Sequence, residues 1–226
     1  METGGYQIGR SRLPGLAALA LAAVSLGVGR AEAPLFEPSL AAATPPPLLD
    51  ADLVFRRGRD AIARIALAYS AQPRFSHVGL IVREGDATSV VHAIPVDVHS
   101  AGGVRREALG RFVAADMAAD VAYYRIDALT SAQRAVVRRY VLDALGRPFD
   151  YQFQYSDSSA VYCTELVVKA LAAAGLDLSP ELTTVTGLTL REPVIPPDAL
   201  GQARPLRPLT PLRRTTDNPM LAVPPP

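Results

Sequence analysis

The sequence predicts an α+β domain in which an antiparallel sheet packs against helices, and three observations carry that reading. β-rich runs concentrate in the first part of residues 50–192, and two capped helical patterns follow, so strands and helices are segregated rather than alternating. Two of the β-runs, 75–82 and 89–94, are separated only by Arg83-Glu84-Gly85-Asp86-Ala87, which reads as a hairpin. Finally, of 226 residues 49% are apolar and 20% charged, enough to bury one core and too apolar for a disordered chain.

The elements follow in order. Residues 52–55 read as an opening strand. Residues 60–69 place Ile62, Ile65, Ala66 and Tyr69 at helical spacing. The hairpin comes next, and 119–126 is a further strand. Thr130-Ser131-Ala132-Gln133 is a capping box that opens a helix running to Leu145 and stopping at Gly146. Residues 163–174 form the last helix, apolar at Leu166, Val167, Ala170 and Leu171 and ended by Gly175.

The flanks have their own signatures. Arg10 and Arg12 precede an apolar run at 13–28, and Ala31-Glu32-Ala33 supplies a small-x-small cleavage pattern, so 1–33 is expected to be a secretory signal. The 16-residue run would span roughly 24 Å as helix, short of a ~30 Å hydrocarbon core, so no stable membrane insertion is expected after its removal. Residues 34–49 are a Pro-rich linker. Ten of the twenty prolines fall from Pro193 onward, and 193–226 is expected to be a disordered Pro/Arg-rich tail. The formal charge is +1, and zero once 1–33 is removed, which argues against a nucleic-acid partner. The oligomeric state has no sequence signature.

The residues able to do chemistry near neutral pH are few: Cys163, His77, His92 and His99. A single cysteine excludes an intrachain disulfide and a multi-cysteine metal site. Three histidines and one cysteine lack compact ligand spacing, so neither a metal nor an organic cofactor is expected. If Glu84-Gly85 is the hairpin turn, His77 and His92 stand directly opposite; if Gly85-Asp86 is, they are diagonal on the same face; an odd-length loop would separate them. Gly79 shares the face of His77 and keeps it open. Cys163 begins its helix, where unpaired N–H groups and the dipole favour a thiolate and a thiol pKa below the free value. These groups make a cysteine-nucleophile triad: Cys163 attacks a carbonyl, His77 moves the proton, His92 orients His77, and the Cys163 N–H serves the oxyanion. Tyr162, beside the nucleophile, is a candidate substrate contact, with a buried aromatic as the alternative. Glu165 is expected to cap the helix, Asp150 to fix the turn after Gly146, Arg56-Arg57 to be a solvated strand end, and His99 to lie in a loop.

Ser76-His77-Val78-Gly79, then Val91-His92-Ala93, Gly146-Arg147-Pro148-Phe149-Asp150 and Tyr162-Cys163-Thr164-Glu165-Leu166-Val167 together resemble the YiiX-like permuted papain-like amidases. Asp52-Leu53-Val54-Phe55-Arg56 is similar to their opening strand. The resemblance covers roughly 50–168. It implies a circularly permuted fold of the NlpC-type superfamily, in which His precedes Cys, and a cysteine amidase or peptidase. Close members often carry Glu at the position of His92, whereas the acyltransferase-like branch uses a second His. Cell-wall peptides are the favoured substrate, in a periplasmic or extracellular location. A thiol acyl hydrolase or acyltransferase on lipids or acylated proteins is the alternative, and a non-catalytic envelope binding protein a further one.

Overall fold

The structure is a computed structural model that describes residues 47–68, 70, 73–96, 101–178, 182–186 and 190–209. The expected signal, most of the linker, the end of the tail and His99 lie outside the described residues. In chain order the elements are β1 (Leu53–Gly58), α1 (Ala61–Ala68), β2 (His77–Glu84), β3 (Ala87–Ile94), β4 (Gly103–Ala108), α2 (Leu109–Phe112), β5 (Ala118–Ile126), α3 (Ser131–Asp143), α4 (Cys163–Ala173), α5 (Pro197–Gly201) and β6 (Leu206–Pro208). The strands form one antiparallel sheet in the order β4-β3-β2-β1-β5-β6. The α+β expectation holds, with helices packed on an antiparallel sheet.

Strand alternation divides the buried side chains between two faces. Leu53, Phe55, Val78, Leu80, Val91, Ala122 and Tyr124 face α4, whose Leu166, Val167, Ala170 and Leu171 complete the main core with Val137 and Val141 of α3. Val54, Ile81, Val90 and Tyr123 point the other way, under Leu48 and under Leu109 and Phe112 of α2. Asp52, fully buried, receives Arg125 at 2.6 Å and Arg134 at 3.2 Å, tying the entry to β1 to β5 and α3. Thr130 caps α3 through a complete capping box with Gln133, as its sequence predicts.

Three expectations need correction. The first is the tail, of which 193–209 is folded. Pro197 occupies the first turn of α5, where no N–H is needed, and Pro208 ends the outermost strand. Ile195, Leu200, Ala203 and Leu206 are buried in the main core, and Asp198 accepts the Arg74 and Phe75 N–H groups at 3.1 and 2.8 Å. Proline content marked the segment as irregular, but the prolines sit where the backbone makes no ladder bond. The linker likewise ends early, since Leu48 is buried and Arg125 bonds the Pro47 carbonyl at 2.8 Å.

The second correction concerns β4 and α2, which had no sequence signal. Val104 is the only large apolar residue of β4, so an edge strand of this composition lacks the period-2 pattern. Its register is set by the Gly146 motif instead: Val104 N–H donates to the Arg147 carbonyl at 2.8 Å, and Gly146 N–H to the Val104 carbonyl at 2.9 Å. Gly103 makes that approach possible, with φ +91° and a Cβ position only 2.6 Å from the Arg147 oxygen. The third is α1, which buries Ala63 and leaves Ile62 and Ile65 exposed.

Deleting the chain after residue 192 is expected to abolish cooperative folding. It removes Ile195, Leu200 and Leu206, and truncation of one such side chain costs ~2–5 kcal/mol against a total stability of ~5–15 kcal/mol. Thermal denaturation followed by circular dichroism checks this; an unchanged midpoint would show that α5 and β6 are peripheral.

Candidate active site

Cys163 is the first residue of α4, and the local sequence explains why the helix begins there. Tyr162 is extended, at φ −101° and ψ 172°, and its N–H donates to Glu165 Oε2 at 3.1 Å. The other Glu165 oxygen pairs with Lys169 one turn on, at 2.6 Å. Burial raises the Glu165 carboxyl pKa while Lys169 opposes the rise. Glu165 therefore has the capping role expected of it. Thr164 donates its hydroxyl to the Ile195 carbonyl at 2.6 Å, and the Ile195 N–H reaches the Tyr162 hydroxyl at 3.4 Å. The segment just after residue 192 thus holds the start of α4.

Tyr162 itself is only 2% exposed, with its ring 5.3 Å from that of Phe153. It braces the start of α4, and its burial fits the buried-aromatic alternative rather than a substrate contact. Asp150 accepts the N–H groups of Gln152, Phe153 and Gln154 at 2.8, 2.9 and 2.5 Å, organising the loop before Cys163. That is the turn-fixing role its position implied.

The hairpin settles the relation of the two histidines. Arg83 pairs with Thr88 and Glu84 with Ala87, so Gly85-Asp86 is the two-residue turn, with Gly85 at φ +58°. His77 and His92 are accordingly diagonal on one face. His77 Nε2 lies 2.8 Å from His92 Nδ1, with the rings steeply inclined at 77°. Gly79 is the residue that clears this space: a Cβ there would stand 2.3 Å from Val90 Cγ1 and 3.1 Å from His92 Cβ.

The face carries three further groups. Phe112 packs its ring 5.7 Å from that of His77 and 5.1 Å from that of His92. Arg56, opposite His77 across β1 and β2, stacks 4.4 Å over Phe112 and donates to its carbonyl at 3.1 Å. Arg56 is 5% exposed, so it is no solvated strand end: its strand position turns the guanidinium inward among aromatic rings. Glu107 of β4 places Oε2 3.4 Å from His92 Nε2 and Oε1 3.3 Å from Arg105. Neither Arg56 nor Glu107 stood out in the sequence as part of a site.

Cys163 is half-buried on the main-core side, near the beginning of β2, and the backbone N–H groups of Val78, the neighbour of His77, and of Thr164 act on its thiol to lower the pKa. Desolvation pushes the thiol pKa up to about 11, against these N–H groups and Arg56. The expected low thiol pKa is therefore overturned, because burial outweighs the helix start. The same physics lowers the histidines: burial, then Arg56, hold His77 well below its ordinary value, and burial takes His92 to about 4 despite Glu107. At neutral pH the resting site holds a neutral thiol and two neutral imidazoles.

A half-buried thiol at a helix start beside a hydrogen-bonded histidine pair, on a helix packed against an antiparallel sheet, defines the class: a papain-like cysteine hydrolase with histidine preceding cysteine. A model of the permuted papain-like amidase enzymes, the YaeF/YiiX or C92 family, matches residues 49–194, and the chain belongs to that family. The fold is similar to the crystal structure of the metalloprotein yiiX from Escherichia coli O157:H7, with a TM-score of 0.61, 20% identity, and coverage of 73% of this chain and 98% of that one. A search among curated proteins found no match.

Two measurements test these electrostatics. Iodoacetamide alkylation of Cys163 should keep accelerating above pH 9 rather than levelling near the ~8.5 of a free thiol. Stability should fall with acid: His92 binds its proton near 6.5 when unfolded and at about 4 when folded, so the folded state is favoured above 6.5 and loses about 3 kcal/mol as the pH drops to about 4. His92→Gln should flatten that part of a melting-temperature profile; an unaltered acid slope would place the titrating groups elsewhere.

Proposed function

We propose that this cysteine hydrolase is an exported amidase that cleaves peptide amide bonds through an acyl-enzyme on Cys163, with cell-wall peptides as substrates. The carrying observation is the 2.8 Å His77–His92 hydrogen bond, one residue along the strand from Val78, whose N–H acts on the Cys163 thiol. Export is supported by the basic, apolar and small-residue order of 1–33, and the cell-wall substrate by that location together with the family.

In this reading the neutral pair works by concerted transfer. The Cys163 thiol gives its proton to His77 as the sulfur adds to the substrate carbonyl, so no buried ion pair stands waiting. The Cys163 and Thr164 N–H groups lie in the first turn of α4, where they meet the oxyanion as it forms. His77 returns the proton to the departing amine, leaving a thioester. Water then attacks with His77 as base, and cleavage of the carbon–sulfur bond releases the acid and restores the thiol. His92 holds the His77 ring in line.

The similar Escherichia coli protein is described as a metalloprotein, and the residues here fit a metal poorly. Among the described residues no three His, Cys, Asp or Glu side chains are grouped to hold an ion. The facing histidine nitrogens, 2.8 Å apart, are closer than the about 3.3 Å that two nitrogens on one tetrahedral zinc require. No step is routed through a metal.

A second reading, an acyl hydrolase or acyltransferase, is favoured by one feature: a histidine rather than an acid hydrogen-bonds His77. Turnover of short peptide amides and of long-chain acyl esters by the purified full chain, with Cys163→Ala as blank, separates the two. Cys163-dependent amide cleavage is expected, and fatty-acid release without it would reverse the ranking. His77→Ala should lose ~10²–10⁴-fold in kcat and His92→Gln less; equal losses would give both rings proton-transfer roles. Protein recovered from cells should begin close to residues 32–34, and an intact Met1 on soluble cytoplasmic protein would refute export.

A further inference from the structure

We infer that Glu107 is a positioning residue for the reaction: its carboxylate keeps the His92 proton on Nε2, which makes His77 donate through Nε2 and leaves His77 Nδ1 as the nitrogen that takes the thiol proton. The inference rests on the reading of His77 as the base. Its argument is a count of protons along one chain of contacts. Glu107 is ionised, because the His92 ring beside it, followed by Arg105 and Arg56, holds its carboxyl below the usual range. An ionised carboxylate only accepts. Its two oxygens are divided, Oε1 to Arg105 at 3.3 Å and Oε2 to His92 Nε2 at 3.4 Å.

Both His92 Nε2 and Glu107 Oε2 are buried without any closer partner, so each is the other's natural complement. At 3.4 Å the contact is long for a hydrogen bond, as catalytic contacts commonly are before substrate closes a site. With the proton on Nε2, Nδ1 of neutral His92 presents a lone pair. His77 Nε2, 2.8 Å away, must then donate, and a neutral His77 has its lone pair on Nδ1. The opposite tautomer of His92 would put a proton on His77 Nδ1 and leave the thiol without an acceptor. Arg56 and Arg105 flank the pair from β1 and β4, so Glu107 is the acidic member of a face that otherwise carries two guanidinium groups.

The charge of Arg105 fixes Oε1 and frees Oε2 for the ring, a division of labour that Gln cannot reproduce. In Glu107→Gln the amide also offers N–H donors, which stabilise His92 with its proton on Nδ1.

Imidazole ¹⁵N shifts of the labelled full chain read the tautomers directly, and with three histidines the signals are assigned from His77→Gln and His92→Gln. In the wild type His92 and His77 should both be neutral with the proton on Nε2 at pH 7. Glu107→Gln should mix or invert the His92 tautomer and lower kcat about 10- to 100-fold with little change in KM, the range for loss of a partner that orients a functional imidazole. A wild-type His92 protonated on Nδ1 overturns the inference without any variant, as does a Glu107→Gln protein with unchanged tautomer and kcat. Amide turnover that survives Cys163→Ala would instead refute the acyl-enzyme on Cys163, and the ¹⁵N spectra would still decide whether Glu107 sets the His92 tautomer.

Discussion

A two-residue turn at Gly85-Asp86 determines which side chains of β2 and β3 share a face, and the site depends on it. Moving the turn by one position would pair His77 directly with His92, and adding one residue would send one ring into the main core. With the observed register, His92 lies across from Gly79, the missing side chain gives the rings room, and Arg105 and Glu107 arrive from β4 on the same face. The site is thus a property of sheet register as much as of the residues that compose it.

The opposite face seats Cys163 under a different constraint. α4 is held through Leu166, Val167 and Leu171 in the core and through Tyr162, Thr164 and Glu165 at its start. These polar contacts are local to Glu165 or reach forward to Ile195. The strand ladder and the helix meet at Val78, whose N–H acts on the thiol while its side chain belongs to the core. One residue therefore couples the two faces. Burial on both sides of this junction raises the thiol pKa and lowers those of the imidazoles, so both favour their neutral forms.

Much of this was legible in the sequence, and the failures share a cause. His77, His92 and Cys163 sit in motifs whose order survives any uncertainty about element ends, and the capping signals of Thr130 and Glu165 act within four residues of themselves. Arg56, Glu107 and β4 were missed because their meaning is non-local: a charged residue on a strand reads as solvated unless one knows what covers its face. Here Phe112, from the single turn α2, covers it. The folded part of the tail was missed for a related reason, since prolines tell where ladder bonds are absent but not whether Ile195, Leu200 and Leu206 find a core. The thiol pKa went wrong on magnitude, as desolvation outweighs a helix start when the sulfur is packed against apolar neighbours.

The bonds from residue 195 to Thr164 and Tyr162 bear on the order in which the protein is made. A chain emerging from the ribosome can close the β2–β3 hairpin early, for its partners are separated by only a few residues. The seat of Cys163 depends on a segment synthesised more than thirty residues after it. The contact between His77 and His92 needs a shorter length of chain than the contacts that seat Cys163. With both histidines before the cysteine in the chain, a chain that stops short of residue 195 carries His77, His92 and Cys163 without the bonds that hold the start of α4.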